Sequence, residues 1–282
     1  LTAGYQVRCD ELEALQPLTK TPLYGKFRTE GTVTGKLNNL LINGSSDIAA
    51  SQTSYDVTLV DLTPSQVLVK MNNAELAKLL YMGGQPTFAK GRIDLDLTLT
   101  DLDPDQLKGK AEVKISNGAL DRAVFKKQYD IVLPETAFAC GLDATLNGRE
   151  VGYLLQFDSA LAKIGSEGSF IPKTMGMDLK YRIDIAKLGL LQPLTGTPLR
   201  GAVKLSGTAK GDQKLLHVEG TSDLAGSATT FRAGLTDLKP VTVVAKIKHL
   251  KLASALLMVA KPRYGDGFLN IDVNIGNARA GE

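Results

Sequence analysis

The residues that could carry chemistry are few. Only two histidines, His217 and His249, occur among 282 residues. They form no catalytic or metal-binding pair by spacing and read as solvated strand positions. Asp101, Asp103 and Asp105 precede Glu112 and imitate a calcium loop with its last ligand in place. Gln106 stands where that loop needs glycine and Pro104 disturbs the turn, so the stretch reads as a solvated turn. Cys9 and Cys140 lie far apart in sequence; they could pair only if the fold brought their Cα atoms within about 7 Å, and otherwise read as two small buried apolar residues. Three aspartate pairs, Asp47/Asp223, Asp61/Asp237 and Asp96/Asp272, sit at one constant spacing, but nothing joins them to a second catalytic group. A phosphate loop, a G-x-S-x-G elbow and a dinucleotide fingerprint are all missing from the sequence. The chain reads as a non-enzyme, with no catalytic residue, no cofactor and no metal expected.

The constant spacing of those aspartates has a cause. The stretch from Leu15 to Gly35, LQPLTKTPLYGKFRTEGTVTG, returns from Leu191 to Gly211 as LQPLTGTPLRGAVKLSGTAKG. The offset is 211 − 35 = 176 and holds without a gap through Asp96/Asp272, with about 30 of about 85 aligned positions identical. Neither histidine has a histidine at its counterpart, which is Leu41 or Asn73. The chain therefore divides into a first β repeat over 1–106, an intervening β segment over 107–176 and a second β repeat over 177–282. A unit used twice points to an array that builds a surface by stacking. The repeated motif itself reads as the joint at which the chain enters each repeat. Pro17 and Pro22 keep it out of a ladder, and Gly25 and Gly31 supply bends.

Alternation with period two dominates the rest. Ile93, Leu95, Leu97 and Leu99 form one apolar row. Phe138, Cys140, Leu142 and Leu146 belong to a second. Met177, Leu179, Tyr181, Ile183 and Ile185 make a third, and Ile271, Val273 and Ile275 a fourth. Polar residues fill the places between, so each run is an antiparallel strand with one apolar and one wet face. Asn38-Asn39, Asn43-Gly44, Asn117-Gly118, Asn147-Gly148 and Gly211-Asp212 are the expected tight turns. Asn43-Gly44-Ser45 also matches a glycosylation sequon, for which the turn is the simpler reading. Helices are predicted at 74–82, capped by Asn72, at 250–260 and at 120–130, with single turns at 12–15 and 188–191. About 16 strands result.

These helices are too few to cover the apolar side of such a sheet. Left wet, it would far exceed the roughly 300–600 Å² patch of an ordinary monomer. A second sheet could cover it, the sheet could close on itself, or it could form an open groove filled by an apolar ligand. Net charge is only +3 and Lys and Arg are interspersed with Asp and Glu, so a nucleic-acid surface is not expected. No run approaches the ~18 apolar residues of a membrane span. The chain begins at Leu1 in strand-like sequence, and its second copy stops at Glu282 where the first runs on into Leu107. A fragment of a longer protein is expected.

The short helix at 74–82, the strand GRIDLDL from Gly91 to Leu97 and the segment LKGKAEVKISNGAL from Leu107 to Leu120 together resemble the AsmA-like, TamB-like proteins of bacterial envelopes. The resemblance covers most of the chain in texture, and the internal repeat suits a long member of that group. It implies a mainly β fold, a long curled antiparallel meander forming a taco-like groove with a few short helices. It implies a periplasmic location, with an anchor in the inner membrane through a segment outside this chain. It implies phospholipid acyl chains as ligand, inner- and outer-membrane components as partners, and phospholipid transport or outer-membrane protein assembly as the role. The apolar rows named above, Ile93 through Ile275, would then line the groove. An envelope repeat with a closed, dry core is the alternative.

Overall fold

A computed structural model describes residues 1–20, 23–103, 105–130, 132–133, 136–237 and 239–276. The protein is mainly β, antiparallel and open, with short helices, as the alternation predicts. The chain forms two compact units, 1–130 with 136–149, and 131–135 with 150–282.

The first unit holds β1 (Thr2–Cys9), β2 (Phe27–Lys36), β3 (Asn39–Ser46), β4 (Gln52–Val60), β5 (Thr63–Glu75), β6 (Ala89–Asp101), β7 (Lys108–Leu120) and β8 (Ala137–Asn147). Each pairs antiparallel with the next in chain order. Helices α1 (Gln16–Thr19), α2 (Leu76–Met82) and α3 (Arg122–Tyr129) sit between strands. The second unit repeats this plan with β9 (Glu150–Ser159), β10 (Lys163–Ile171), β11 (Gly176–Ile185), β12 (Val203–Gly211), β13 (Leu216–Ser222), β14 (Ala228–Thr236), β15 (Lys239–Lys251) and β16 (Phe268–Gly276), again paired in order. Its helices are α4 (Gln192–Thr195) and α5 (Leu252–Met258). Among the described residues β1 does not pair with β8, nor β9 with β16, so neither meander closes on itself.

The repeated motif is not a joint between repeats. It connects β1 to β2, and β11 to β12, inside each unit. Its two single turns of 3-10 helix lie at Leu12–Leu15 and Leu188–Leu191, as expected. Leu12 N–H donates to Gly25 O at 2.8 Å and Leu188 N–H to Gly201 O at 2.8 Å. Tyr24 N–H reaches Met82 O at 3.0 Å, and Arg200 N–H reaches Met258 O at 2.7 Å. The motif thus folds against α2 or α5 and covers one end of its sheet. Gly25 does turn, with φ +89°. Gly31 does not bend the chain; it pairs in mid-strand with Tyr5 and Gly44. Pro22 lies outside the described residues.

The core sits at that covered end. Leu12, Ala49, Met71, Ala74 and Met82 are buried together, with Cys9, Phe27, Ile93 and Leu95 packed around them. Asn72 does not cap α2. It pairs with Gln52 in the ladder, and Asn73 takes a left-handed φ of 60° in a bulge between β5 and β6. With Asn72 in the ladder and Asn73 in the bulge, β5 runs on to Glu75 and α2 starts there. In the second copy His249 holds the same position with φ 54°, and its N–H donates to Asn270 Oδ1 at 3.0 Å. The expected third helix is present as α3, and its cap is Asp121, whose carboxylate accepts from Ala123 and Val124 N–H at 2.9 and 3.0 Å.

Two expected turns are strand residues instead. Asn43-Gly44 lies inside β3, paired with Asp56 and Tyr55. Asn117-Gly118 forms a bulge in β7, where Asn117 takes φ 50°. Asn38, Gly148 and Asp212 do lie between strands. Asp212 Oδ1 accepts from Lys214 and Leu215 N–H at 2.9 and 3.0 Å.

Candidate functional site: an apolar β face left open

In an antiparallel ladder, residues directly opposite share a face. The register therefore assembles the apolar rows. On β6, Ile93, Leu95, Leu97 and Leu99 meet Ile115, Val113, Ala111 and Gly109 of β7, which in turn meet Cys140, Leu142, Ala144 and Leu146 of β8. Phe138 continues this face beyond the β7 bulge, its ring over Gly118. In the second unit, Met177, Leu179, Tyr181, Ile183 and Ile185 of β11 lie between Phe170, Gly168, Ser166 and Ile164 on β10 and Ala209, Gly207, Leu205 and Val203 on β12. Ile271, Val273 and Ile275 of β16 meet Ile247, Ala245 and Val243 of β15. All fifteen predicted lining residues thus lie on the apolar face of their own unit.

That face is not covered. The predicted lining residues of β6, β8 and β11, and Val273, are half-buried, while Ile271 and Ile275 are exposed. Among the described residues no large side chain of either unit is fully buried. The opposite face is wet and laced by cross-strand ion pairs, such as Lys210 to Asp178 at 2.6 Å and Arg232 to Glu219 at 3.3 Å. A trough of about 950 Å³ in the second unit belongs to this polar side, since its walls include Lys180, Arg182, Glu219 and Lys246, which alternate with the apolar row. Exposed pairs of this kind contribute little and define no site.

Sequence reasoning missed one feature of the apolar face. Tyr5, Gly31, Gly44 and Tyr55 are directly opposite one another across β1 to β4. Both tyrosines lie down over the glycines, where a Cβ on Gly44 would stand 2.5 Å from Tyr5 Oη. At the same offset of 176, Tyr181, Gly207, Gly220 and Phe231 repeat the row. Tyr181 Oη donates to Glu219 O at 3.3 Å, and burial pushes its pKa up. The aligned tyrosines and glycines were the available signal.

The candidate chemistry resolves into structure. Asp47 Oδ1 accepts Arg28 N–H at 2.8 Å and Asp223 Oδ1 accepts Lys204 N–H at 2.7 Å, each bond reaching a residue 19 positions earlier in the chain. Buried hydroxyl pairs follow each, Ser51 with Thr53 at 2.6 Å and Ser227 with Thr229 at 2.7 Å. Asp61 and Asp237 take φ 50° at hairpin tips, and Asp96 faces Lys70 at 3.9 Å on the wet side. Asp101 and Asp103 accept backbone N–H groups at 3.1 and 2.9 Å, Asp105 pairs with Arg149 at 2.8 Å, and Glu112 pairs with Lys114 at 2.5 Å. Their second-copy counterparts, Asn277, Arg279 and Gly281, lie outside the described residues. No metal-binding cluster occurs among the described residues, and no helix there is long and apolar enough to cross a membrane. Cys9 and Cys140 are unpaired, and they are half-buried instead of buried as expected; burial raises the Cys140 thiol pKa.

No family model, no curated protein and no solved structure matches the chain.

Proposed function

We propose that the chain shields phospholipid acyl chains along its open apolar β face, as part of a conduit between the inner and outer membranes of a bacterial envelope. The observation that carries this reading is the half-exposed apolar row repeated in both units, with no large side chain fully buried. A closed, dry core would bury those same residues. The mechanism is passive. Each CH2 held against the face instead of water is favoured by ~0.8 kcal/mol, so a lined path lowers the cost of moving a chain through an aqueous space. The ligand needs no polar recognition along the lining, which suits an acyl chain better than a peptide. The location, the inner-membrane anchor and the membrane partners rest on the resemblance to AsmA-like proteins. The polar face, with its alternating charges, offers no counterpart to a nucleic-acid surface.

The test is lipid extraction from gently purified protein, followed by mass spectrometry. Phospholipid at a reproducible stoichiometry is expected, and Ile183→Asp is expected to lose it while its circular dichroism and melting stay close to wild type. Ile183 is half-buried between Ile164 and Leu205. A stable wild-type protein free of lipid defeats the reading, and so does an Ile183→Asp protein that retains its lipid.

A further inference from the structure

The trough of about 950 Å³ on the polar side of the second unit has two unlike walls. It runs across the strands from β9 to β15, between two rows of side chains that the register holds in line. In one row the charges are closed on themselves, Lys180 with Glu167 at 3.5 Å and Arg232 with Glu219 at 3.3 Å. The other row is Arg182, Ser206, Thr221, Thr230 and Lys246, directly opposite one another on successive strands from β11 to β15. Neither Arg182 nor Lys246 makes an ion pair among the described residues, and Asp272, opposite Lys246 on β16, lies outside the trough. The row is therefore a lane of three hydroxyl side chains between two free cations, about 19 Å apart along the sheet at four strand spacings.

The internal repeat shows that the frame does not dictate these charges. At the offset of 176 the lane becomes Gln6, Glu30, Ser45, Ser54 and Lys70, in the same register. There Gln6 Nε2 donates to Glu30 Oε2 at 3.4 Å, and Lys70 is held by Asp96 at 3.9 Å. In the neighbouring row the counterpart of Arg232 is Asp56. One ladder thus carries acidic side chains in the first copy and free basic ones in the second. The fold needs neither, because exposed cross-strand charges contribute little to stability.

We propose that the trough binds an acidic polysaccharide chain laid across the strands, with carboxylates on Arg182 and Lys246 and sugar hydroxyls on Ser206, Thr221 and Thr230. A guanidinium fork and an ammonium both form charge-assisted hydrogen bonds to carboxylate. A Ser or Thr hydroxyl donates and accepts, as a sugar hydroxyl does. The floor disfavours a peptide strand. Each of β10 to β14 pairs on both sides, so a peptide lying across them finds no free ladder groups. Nucleic-acid bases would need an aromatic platform, but Tyr181 and Phe231 lay their rings on the opposite, apolar face. Two free cations this far apart also match sparse carboxylates better than a phosphate at every residue. The inference stands apart from the lipid reading, because it concerns the other face of the sheet.

The experiment uses the full chain and fluorescently labelled hyaluronan oligosaccharides, in which an acidic sugar alternates with a neutral one, read by anisotropy at low salt. Neutral chitin oligosaccharides of equal length serve as competitors. Binding is expected, and Arg182→Gln combined with Lys246→Gln is expected to weaken it at least about tenfold. Thr221→Val should weaken it too. Circular dichroism checks that each variant is folded. Lys70→Gln, at the counterpart position in the first copy, should leave binding unchanged. No binding of hyaluronan, displacement by chitin oligosaccharides at equal concentration, an unaffected double variant or an equal loss in Lys70→Gln would each overturn the proposal. So would displacement at equal concentration by single-stranded DNA or polyglutamate of equal charge, which would mark an unspecific cationic surface.

Discussion

Tyr5 Oη lies 2.5 Å from Tyr55 Oη, although β1 and β4 are separated by two intervening strands. Three strand spacings come to about 14 Å, so both rings must lie flat and reach toward each other. Gly31 and Gly44 make that possible by leaving the floor beneath them bare. The hydroxyls form a directed chain. Thr29 Oγ1 donates to Ser45 O at 2.9 Å and therefore accepts from Tyr55, 2.5 Å away, whose oxygen accepts from Tyr5.

A methyl group on that floor should be costly. An added Cβ at Gly44 would stand 2.5 Å from Tyr5 Oη and from Tyr55 Cζ. Gly44→Ala is expected to destabilise by about 1–3 kcal/mol in a denaturant titration. Combining it with Tyr55→Ala should cost less than the sum of the two single changes, because the clash leaves with the ring. Strict additivity would mean that the rings do not occupy this floor.

The hydroxyl chain sets an alkaline limit. Burial, and then the bond to Tyr55, push the Tyr5 pKa up from 10.0 to about 12. The folded value is raised, so its contribution is fully present below pH 10 and is lost as pH rises from about 10 to about 12. Thermal melts across that window should fall more steeply in wild type than in Tyr5→Phe. Absorbance titration at alkaline pH should show late tyrosine ionisation that is reduced in that variant, with the contribution of Tyr181, whose pKa burial also raises, remaining.

Truncations should separate the covered end from the open face. Met82 is buried in the cluster with Leu12 and Met71, and Met82→Ala is expected to cost about 2–5 kcal/mol. Leu97 is half-buried, and Leu97→Ala should cost at least about 1 kcal/mol less. Equal losses in denaturant titrations would argue that the face is packed in solution.

The repeated aspartates should be structural. Asp47→Ala and Asp223→Ala each strip the acceptor from a strand N–H and are expected to destabilise by about 1–2 kcal/mol. Lipid stoichiometry should be unchanged in both. A selective loss of lipid with stability intact would assign these carboxylates a direct role.

Strand positions and facing were legible because period-two alternation records which side of a sheet is wet. Every predicted lining residue, from Ile93 to Ile275, falls on the face its alternation implied. Turn chemistry was less legible. Asn43-Gly44 has the composition of a hairpin turn, yet Gly44 is needed in mid-strand by rings from Tyr5 and Tyr55, respectively 39 residues before and 11 residues after it. Asn72 looks like a helix cap, but it is held in the ladder opposite Gln52, next to a bulge in which Asn73 takes the left-handed position. In both cases a partner distant in sequence decides what a local signal means.

The sequence by itself determined that the chain is a twice-used antiparallel β unit with one apolar and one charged face. Both follow from local periodicity and from identity at a fixed offset, which need no knowledge of packing. Only the tertiary structure decided that each meander stays open, that the motif around Pro17 and Gly25 covers one end of its sheet, and that paired glycines carry flattened aromatic rings. Those outcomes depend on register and on contacts between strands that no local pattern encodes. An alternating strand can serve a sandwich, a barrel or an open groove, and the face it buries is set by what, if anything, comes to lie against it.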